Sequence, residues 1–283
     1  MPAPLLSADV IDIDRISPAI RPEGRAIGHH VWSHLLFVHW RVPIEMIRPL
    51  IPPELSLDTW DGDAWVGLVP FDMSGVRPWW SPAVPGVSNF RETNVRTYVH
   101  HRGRDPGVWF LSLEASSSLA VRVARWRWHL PYFRAQMTLA HGAEAIEYRS
   151  RRLWPGPAGQ GCNIRAEIGP LLGEDDSERA LPLGRAVPGT LEHFLIERYI
   201  LYAHDAQGAV LSGRVHHTPY SVREARLTEV HDTLLPAAGI TPLGPPCHTV
   251  FSDGVSVEIF PLRPITAIPA LSPSPREPWR RGL

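Results

Sequence analysis

The sequence of 283 residues contains no lysine, so all 28 residues of its Lys+Arg count are arginines. Lysine is normally among the commonest residues of soluble proteins. Catalysis through a Schiff base needs a primary amine that is unprotonated near neutral pH, whereas a guanidinium keeps its proton in a protein. Apart from the N-terminal amine the sequence offers no such group, which excludes Schiff-base catalysis.

Cysteine, net charge and long hydrophobic runs are scarce as well. The two cysteines, Cys162 and Cys247, allow at most one disulfide, which excludes a disulfide-framework protein and favours a reducing compartment. The formal net charge of −1 argues against nucleic-acid binding or a membrane-surface role. No apolar run is long enough to cross a bilayer, and the acids and prolines of residues 1–14 are untypical of a secretion signal. We therefore expect a cytoplasmic protein with no nucleic-acid or membrane partner.

The signatures of common cofactor and metal sites are missing too. The sequence has no glycine-rich phosphate loop, no GxSxG elbow and no dinucleotide fingerprint. Its 14 histidines include no HExxH. His30 and His34 would come together only on a helix, and their segment is predicted to be a loop leading into a strand. We expect neither a metal nor a cofactor.

The residues that are present predict one domain made mainly of strands. Residues 1–28 lack a strong periodicity and are predicted to be an extended arm, 29–263 the domain, and 264–283, with five prolines, a surface tail. Helices are predicted at 43–50 and 190–198. The fold class is therefore α+β and mostly antiparallel, a β-barrel or sandwich with few helices. Nine segments have the length and residue types of strands: 34–41, 65–71, 94–101, 108–115, 134–141, 145–151, 162–168, 199–204 and 209–217.

The clearest candidate site is a row of polar residues on one strand. Because alternate side chains of a strand share a face, Glu92, Asn94, Arg96 and Tyr98 lie together, opposite a β-branched face. An acid, an amide, a guanidinium and a phenol in one row are typical of a pocket wall that orients a small molecule. The alternative interpretation is a solvated outer face with ion pairs to a neighbouring strand.

Several short motifs, in a fixed order, resemble a known bacterial family. Between about Trp32 and Arg226 the sequence resembles the YqjF-like family, domain of unknown function 2071. That family is similar in fold to acetoacetate decarboxylase, a cone-shaped antiparallel β-barrel, which agrees with the number of predicted strands. The motifs are Phe37-Val38-His39-Trp40, Ile51-Pro52-Pro53-Glu54-Leu55, the segment 61–71, Glu92-Thr93-Asn94-Val95-Arg96-Thr97-Tyr98, Ala124-Arg125, Leu130-Pro131-Tyr132, Glu197-Arg198-Tyr199 and His216-His217-Thr218-Pro219-Tyr220.

The resemblance implies a pocket, but the absence of lysine excludes the Schiff-base reaction known for acetoacetate decarboxylases. In acetoacetate decarboxylases a Pro-Lys-Lys segment supplies the Schiff-base lysine, and a glutamate on an earlier strand faces it. The resemblance places Tyr132 at the lysine position, after Pro131, and Glu92 at the position of that glutamate. Fold analogy alone does not supply a function. A packed Tyr132 whose hydroxyl binds the backbone is the alternative.

We therefore predict a small-molecule enzyme that carries out dehydration, enolisation or decarboxylation of a keto acid or related carbonyl compound. Glu92 is predicted to be the general acid or base, Tyr132 a proton donor or oxyanion partner, and Arg96 the group that binds a carboxylate or polarises a carbonyl. Asn94 and Tyr98 are predicted to orient the ligand.

Three further expectations concern His217, the alternatives and the assembly. Strand alternation points His216 and His217 to opposite faces, so at most one of them reaches a pocket, and His217 is the candidate ligand-binding residue. A non-catalytic binding protein and a structural oligomer subunit are the alternative functions. The adjacent Trp79 and Trp80 in a proline-rich loop predict a homo-oligomer.

Overall fold

The computed structural model describes residues 13–173 and 183–265. Within them, thirteen strands form one sheet in the order β13-β10-β9-β5-β6-β7-β8-β11-β12-β1-β3-β4-β2. The strands are β1 (Gly28–Val42), β2 (Ser56–Leu57), β3 (Ala64–Pro78), β4 (Phe90–His101), β5 (Arg104–Ala115), β6 (Tyr132–His141), β7 (Ala145–Trp154), β8 (Gly161–Leu171), β9 (Ile200–His204), β10 (Val210–His216), β11 (Val222–Asp232), β12 (His248–Ile259) and β13 (Arg263–Pro264). The α-helices are α1 (Ile44–Ile47), α2 (Ser118–Trp128), α3 (Leu191–Ile196) and α4 (Leu234–Ala237).

The sheet closes on itself. β4 pairs with β5 as well as with β3, so the strands from β5 through β6, β7, β8, β11, β12, β1, β3 and β4 return to β5. The first long strand is held by the last one, since Gly28 of β1 pairs with Ile259 of β12. The strand pairs are antiparallel except where β5 meets β6 and β9. The predicted mostly antiparallel α+β barrel or sandwich is confirmed.

Along one edge, β5 has a gap between its two parallel neighbours. It pairs with β9 at Val108 and Trp109, and with β6 from Leu113 to Ala115. On the opposite edge, the register of β4 with β5 shifts within the same stretch, because Val95 pairs with Ser112 and Arg96 with Phe110. Among the described strands, residues 110–112 of β5 therefore have no partner on the edge that faces β6 and β9.

Buried side chains pack on both faces of β4. Val95 and Val99 belong to one apolar cluster, which also holds Leu36 and Phe251. Tyr98 belongs to a second cluster on the other face. The charged and polar residues of β4 are thus buried, as are its β-branched residues. Buried charged and polar side chains need hydrogen-bond or ion-pair partners inside the protein.

Seven of the nine predicted strands lie within observed strands, and the other two, 199–204 and 209–217, exceed β9 and β10 by one residue at one or both ends. Several other elements were not predicted. The helix predicted over 190–198 is shorter, α3, and begins after Thr190, whose hydroxyl accepts a hydrogen bond from the His193 N–H at 3.3 Å. The helix predicted over 43–50 is α1 followed by one 3₁₀ turn. The predicted tail begins at Pro264 in β13, and its residues 266–283 lie outside the described part, as do residues 1–12 of the arm.

No helix in the described ranges is long and apolar enough to span a membrane.

Candidate active site

Glu92 is a buried carboxyl group on β4, with 3% of its surface exposed. Its Oε2 accepts a hydrogen bond of 2.8 Å from the Tyr132 hydroxyl. Burial raises the pKa of Glu92 to about 8, and the hydrogen bond from Tyr132 offsets part of that increase. At neutral pH Glu92 is therefore mainly a neutral acid, close to the pKa that serves proton transfer best.

Tyr132 is the first residue of β6, and the chain reaches it through Pro131. It pairs in parallel with Leu113 of β5, while Glu92 pairs with Ala115 at the end of the same strand. β5 thus brings β4 and β6 close enough for their side chains to meet. Burial and the neighbouring Glu92 raise the pKa of the Tyr132 phenol well above its usual value, so its hydroxyl stays a hydrogen-bond donor.

A cavity of about 70 Å³ lies against this face of β4. At roughly 10–15 Å³ for one water-sized position, it accommodates a molecule of a few non-hydrogen atoms. Its polar wall consists of Glu92, Asn94, Arg96 and Arg198, and the rest is apolar or aromatic, with Trp32, Phe71, Phe110 and Tyr220 among the contributors. The Oδ1 of Asn94 is buried and has no hydrogen-bond partner among the described residues.

The two arginines of the wall differ in how their charge is balanced. Arg198 forms an ion pair of 2.7 Å with Asp58 and donates from Nε to the carbonyl of Phe194 at 2.7 Å. Arg96 donates to the carbonyl of Leu195 at 3.0 Å and lies 5.4 Å from the centre of the Phe37 ring. Within the described ranges Arg96 contacts no carboxylate. The cavity therefore carries a positive charge suited to an anionic ligand.

Tyr98 shares the face of Arg96 but is not part of the cavity wall. Its hydroxyl donates to the carbonyl of Leu195 at 2.8 Å and lies 2.7 Å from Nε2 of His39. Since the hydroxyl proton is used on Leu195, His39 donates from Nε2, and its Nδ1 then accepts from His248 at 2.9 Å. Burial lowers the pKa of His39 well below its usual value, in agreement with this neutral form. The wall thus holds three of the four predicted residues, and Tyr98 supports the carbonyl that positions Arg96.

His217 lies behind the cavity wall. Its ring packs against Tyr199 and Tyr220, each with ring centres 4.6 Å apart, and against Trp32 at 5.9 Å. Burial lowers its pKa to about 4, so the ring is neutral at pH 7. Its Nδ1 donates to the carbonyl of Thr218 at 2.8 Å, which leaves Nε2 as the acceptor. His217 therefore touches two residues of the wall without belonging to it.

Sequence reasoning missed three residues of this region. Arg198 lines the cavity, and His39 orients Tyr98. Glu197 is buried and receives hydrogen bonds from the Tyr199 hydroxyl at 2.5 Å and from the Tyr220 N–H at 3.0 Å. The available signal was the presence of all three in motifs of the family, since no local pattern in the sequence pointed to them.

The described residues contain no group of three or more histidine, cysteine, aspartate or glutamate side chains placed to hold a metal ion.

The closed ring of strands, with a buried acid on β4, defines a protein of the acetoacetate decarboxylase-like fold. The enduracididine biosynthesis enzyme MppR complexed with pyruvate superposes with a TM-score of 0.55 at 12% identity, over 85% of this chain and 91% of that one. Acetoacetate decarboxylase from Legionella pneumophila superposes with a TM-score of 0.51 at 12% identity, over 91% of this chain and 99% of that one. At these identities the likeness shows the fold alone.

The chain belongs to the DUF2071 family, described as an uncharacterized conserved protein, whose model matches residues 29–256. It is also 36% identical over 220 residues to the uncharacterized protein YqjF of Bacillus subtilis, which covers 78% of this chain and 85% of that relative. The family membership expected from the sequence motifs is confirmed.

Proposed function

We propose that this protein is a small-molecule enzyme that uses Glu92, Tyr132 and Arg96 for acid–base chemistry on a carbonyl compound carrying a carboxylate. The observation that carries the proposal is the hydrogen-bonded pair of Glu92 and Tyr132, whose oxygens lie 2.8 Å apart, beside a cavity lined by Glu92 and Arg96. A simple binding protein does not require this pair. A buried acid with a pKa of about 8 is suited to exchanging a proton with a substrate.

Arg96 is the proposed binding group for the carboxylate. Its Nη2 is held by the carbonyl of Leu195, while its Nε is buried and has no partner among the described residues. A guanidinium with free N–H groups forms charge-assisted hydrogen bonds with a carboxylate. Asn94, on the same face, supplies an amide to orient the ligand.

The proposed chemical step is proton transfer to and from the carbon next to the carbonyl. The ionised form of Glu92, about a tenth of the molecules at pH 7 for a pKa of about 8, takes the proton from that carbon. Electrons of the broken C–H bond form the enolate, whose oxygen accepts a hydrogen bond from Tyr132. Protonated Glu92 then returns the proton. Dehydration and decarboxylation of keto compounds can use the same enolate.

The test follows exchange of the methyl hydrogens of pyruvate for deuterium by NMR in D2O, and the same spectra report decarboxylation or dehydration of longer keto and hydroxy acids. Exchange by the wild type should rise about tenfold for each pH unit up to about pH 8 and then level off. Glu92→Gln should lower the rate about 100-fold or more. Tyr132→Phe should lower it roughly tenfold, since one buried hydroxyl donor contributes about 1–3 kcal/mol.

Arg96→Gln should raise KM more than it lowers kcat, and Glu54→Gln, at an exposed position, is the control that should leave both unchanged. A fully active Glu92→Gln variant contradicts the proposal. Keto-acid binding that depends on Arg96, with no conversion of any compound in the series, supports the non-catalytic binding protein instead.

A further inference from the structure

A second pocket of about 310 Å³ lies next to the active-site cavity. Its wall is largely apolar and aromatic, and includes Leu50, Trp109, Leu111, Leu130, Tyr202 and Ala203. Leu130 and Pro131 in this wall lead directly into Tyr132, whose hydroxyl contacts Glu92. We name this second pocket the outer pocket and the active-site cavity the inner cavity; the outer pocket is several times larger than the inner cavity.

Phe110 lies in the walls of both spaces. Along β5, Val108 faces the inner cavity, while Trp109 and Leu111 face the outer pocket, as strand alternation requires. β9 also contributes to both walls, with Ile200 and Leu201 in the inner cavity and residues 202–204 in the outer pocket. The two spaces thus lie on opposite faces of the sheet.

Strand pairing along one edge of β5 is interrupted at this position. β9 accompanies β5 as far as Trp109, and β6 begins to pair only at Leu113. Phe110 stands in this gap, where the register with β4 also shifts. Its side chain is half-buried, so it is less tightly enclosed than the neighbouring Val108. Phe110 is therefore the side chain that the walls of the two pockets share.

We propose that the substrate is a keto acid with an apolar tail, whose polar head occupies the inner cavity and whose tail passes Phe110 into the outer pocket. This inference rests on the proposed function, and it adds the tail and names Phe110 as the residue that sets its size. The inner cavity alone accommodates only a head group. The outer pocket offers apolar surface that a short keto acid leaves uncovered, and burying that surface against a tail favours binding.

The test measures Kd by calorimetry for 2-oxo acids of increasing length: pyruvate, 2-oxobutanoate, 2-oxohexanoate and 2-oxooctanoate. Burial of one methylene strengthens binding about fourfold, so Kd of the wild type should fall by about that factor for each methylene that enters the outer pocket. Phe110→Trp should abolish this gain for the two longest acids. Leu111→Ala should weaken 2-oxooctanoate about tenfold more than it weakens pyruvate, whereas Leu153→Ala, at an exposed position outside both pockets, should leave the whole series unchanged.

The outcomes separate this inference from the proposed function. The inference is overturned, and the proposed function left intact, if pyruvate binds and Kd does not fall for the longer acids. The same holds if Phe110→Trp changes Kd equally for all four acids. If binding strengthens with tail length but no acid is converted, the proposed enzymatic function is overturned, and the inference that an apolar tail occupies the outer pocket is supported. Failure of all four acids to bind overturns both.

Discussion

At the scale of single residues, the protein buries two glutamates on adjacent strands and treats them differently. Glu114 of β5 receives the Arg152 guanidinium at 2.5 Å, and that guanidinium also lies 3.5 Å from the centre of the Phe133 ring. Among the described residues, Glu92 of β4 receives its hydrogen bond from a phenol, that of Tyr132. Burial raises the pKa of both carboxyls, but the arginine opposes the increase at Glu114. Glu114 therefore serves as half of an ion pair, whereas Glu92 remains available to exchange protons.

The raised pKa of Glu92 makes the stability of the protein depend on pH. Between its ordinary value of 4.5 and the folded value of about 8, the folded state holds a proton that the unfolded state has lost. The contribution of Glu92 to the free energy of unfolding is thus fully present below pH 4.5, and it is lost as the pH rises to about 8. The loss is at most about 1.4 kcal/mol for each pH unit.

Glu92→Gln should remove this dependence. Urea unfolding at several values between pH 5 and pH 9 should show a smaller decline in the free energy of unfolding for the variant than for the wild type, and a more stable variant above pH 8. Glu54→Gln, which changes an exposed carboxyl, is the control and should follow the wild type. Parallel pH profiles for the wild type and Glu92→Gln would show that Glu92 is ionised in the folded protein.

Alternation along one strand was sufficient to predict the shared face of Glu92, Asn94 and Arg96, because it depends only on local geometry. The sequence could not reveal which residues complete the site. The Leu195 carbonyl that holds Arg96 is 99 positions away, and the ion pair of Arg198 with Asp58 spans 140 positions. Such contacts depend on the strand order of the closed sheet, and only the family resemblance indicated that Tyr132 would reach Glu92.

At the scale of elements, the contact between β5 and β9 depends on a glycine. A methyl group added to Gly107 would lie 2.6 Å from the Ile200 carbonyl oxygen and 3.0 Å from its carbon. These are backbone atoms, so the strand itself would have to move. The close approach brings Ile200 and Leu201 into the cavity wall opposite β4.

Gly107→Ala should destabilise the protein by about 1–3 kcal/mol, the usual cost of overpacking. Gly142→Ala provides the matched control, because the nearest atom to its added methyl group would be 3.8 Å away. Thermal unfolding of both variants measures the difference. Equal melting temperatures would mean that β9 can shift without loss, and that the contact with β5 is not a tight one.

Elements with a strong apolar period or a run of bulky residues were predictable, and those without one were not. α2 buries only Val121 and Ala124 among its eleven residues, so no apolar stripe marks it in the sequence. The residue that caps its N-terminus is Ser117, whose hydroxyl accepts a hydrogen bond from the Ala120 N–H at 3.2 Å. β11 alternates in burial but is rich in charged residues, which obscures its strand character.

At the scale of the whole molecule, large exposed aromatic residues suggest association with further copies. Trp80 is 71% exposed, and Trp126 on α2 is 77% exposed. We expect light scattering to return a mass above the 31.6 kDa of one chain. Trp80→Ser should reduce it to that of one chain, while Trp126→Ser, at an equally exposed position elsewhere, should not. A monomer at every concentration would refute the assembly, and dissociation by Trp126→Ser alone would place the interface on α2.

The lack of lysine predicts that the protein forms no internal imine. Incubation with acetoacetate or pyruvate followed by borohydride should leave the mass of every internal peptide unchanged, because guanidinium groups do not form imines under these conditions. A lysine-dependent acetoacetate decarboxylase, treated in parallel, shows that trapping works. A reduced adduct on any internal peptide would contradict the prediction.

The pairing of β1 with β12 has a consequence for synthesis of the protein in the cell. Gly28 and Ile259 are partners, so about 230 positions separate the two strands. A ribosome adding roughly 5–20 residues per second needs roughly 10–50 s to supply the second strand after the first. Throughout that time one edge of β1, with its apolar run from Leu35 to Val38, lacks its native neighbour and is open to strands of other nascent chains. We expect the yield of native protein to depend on how well nascent chains are kept apart until β12 emerges.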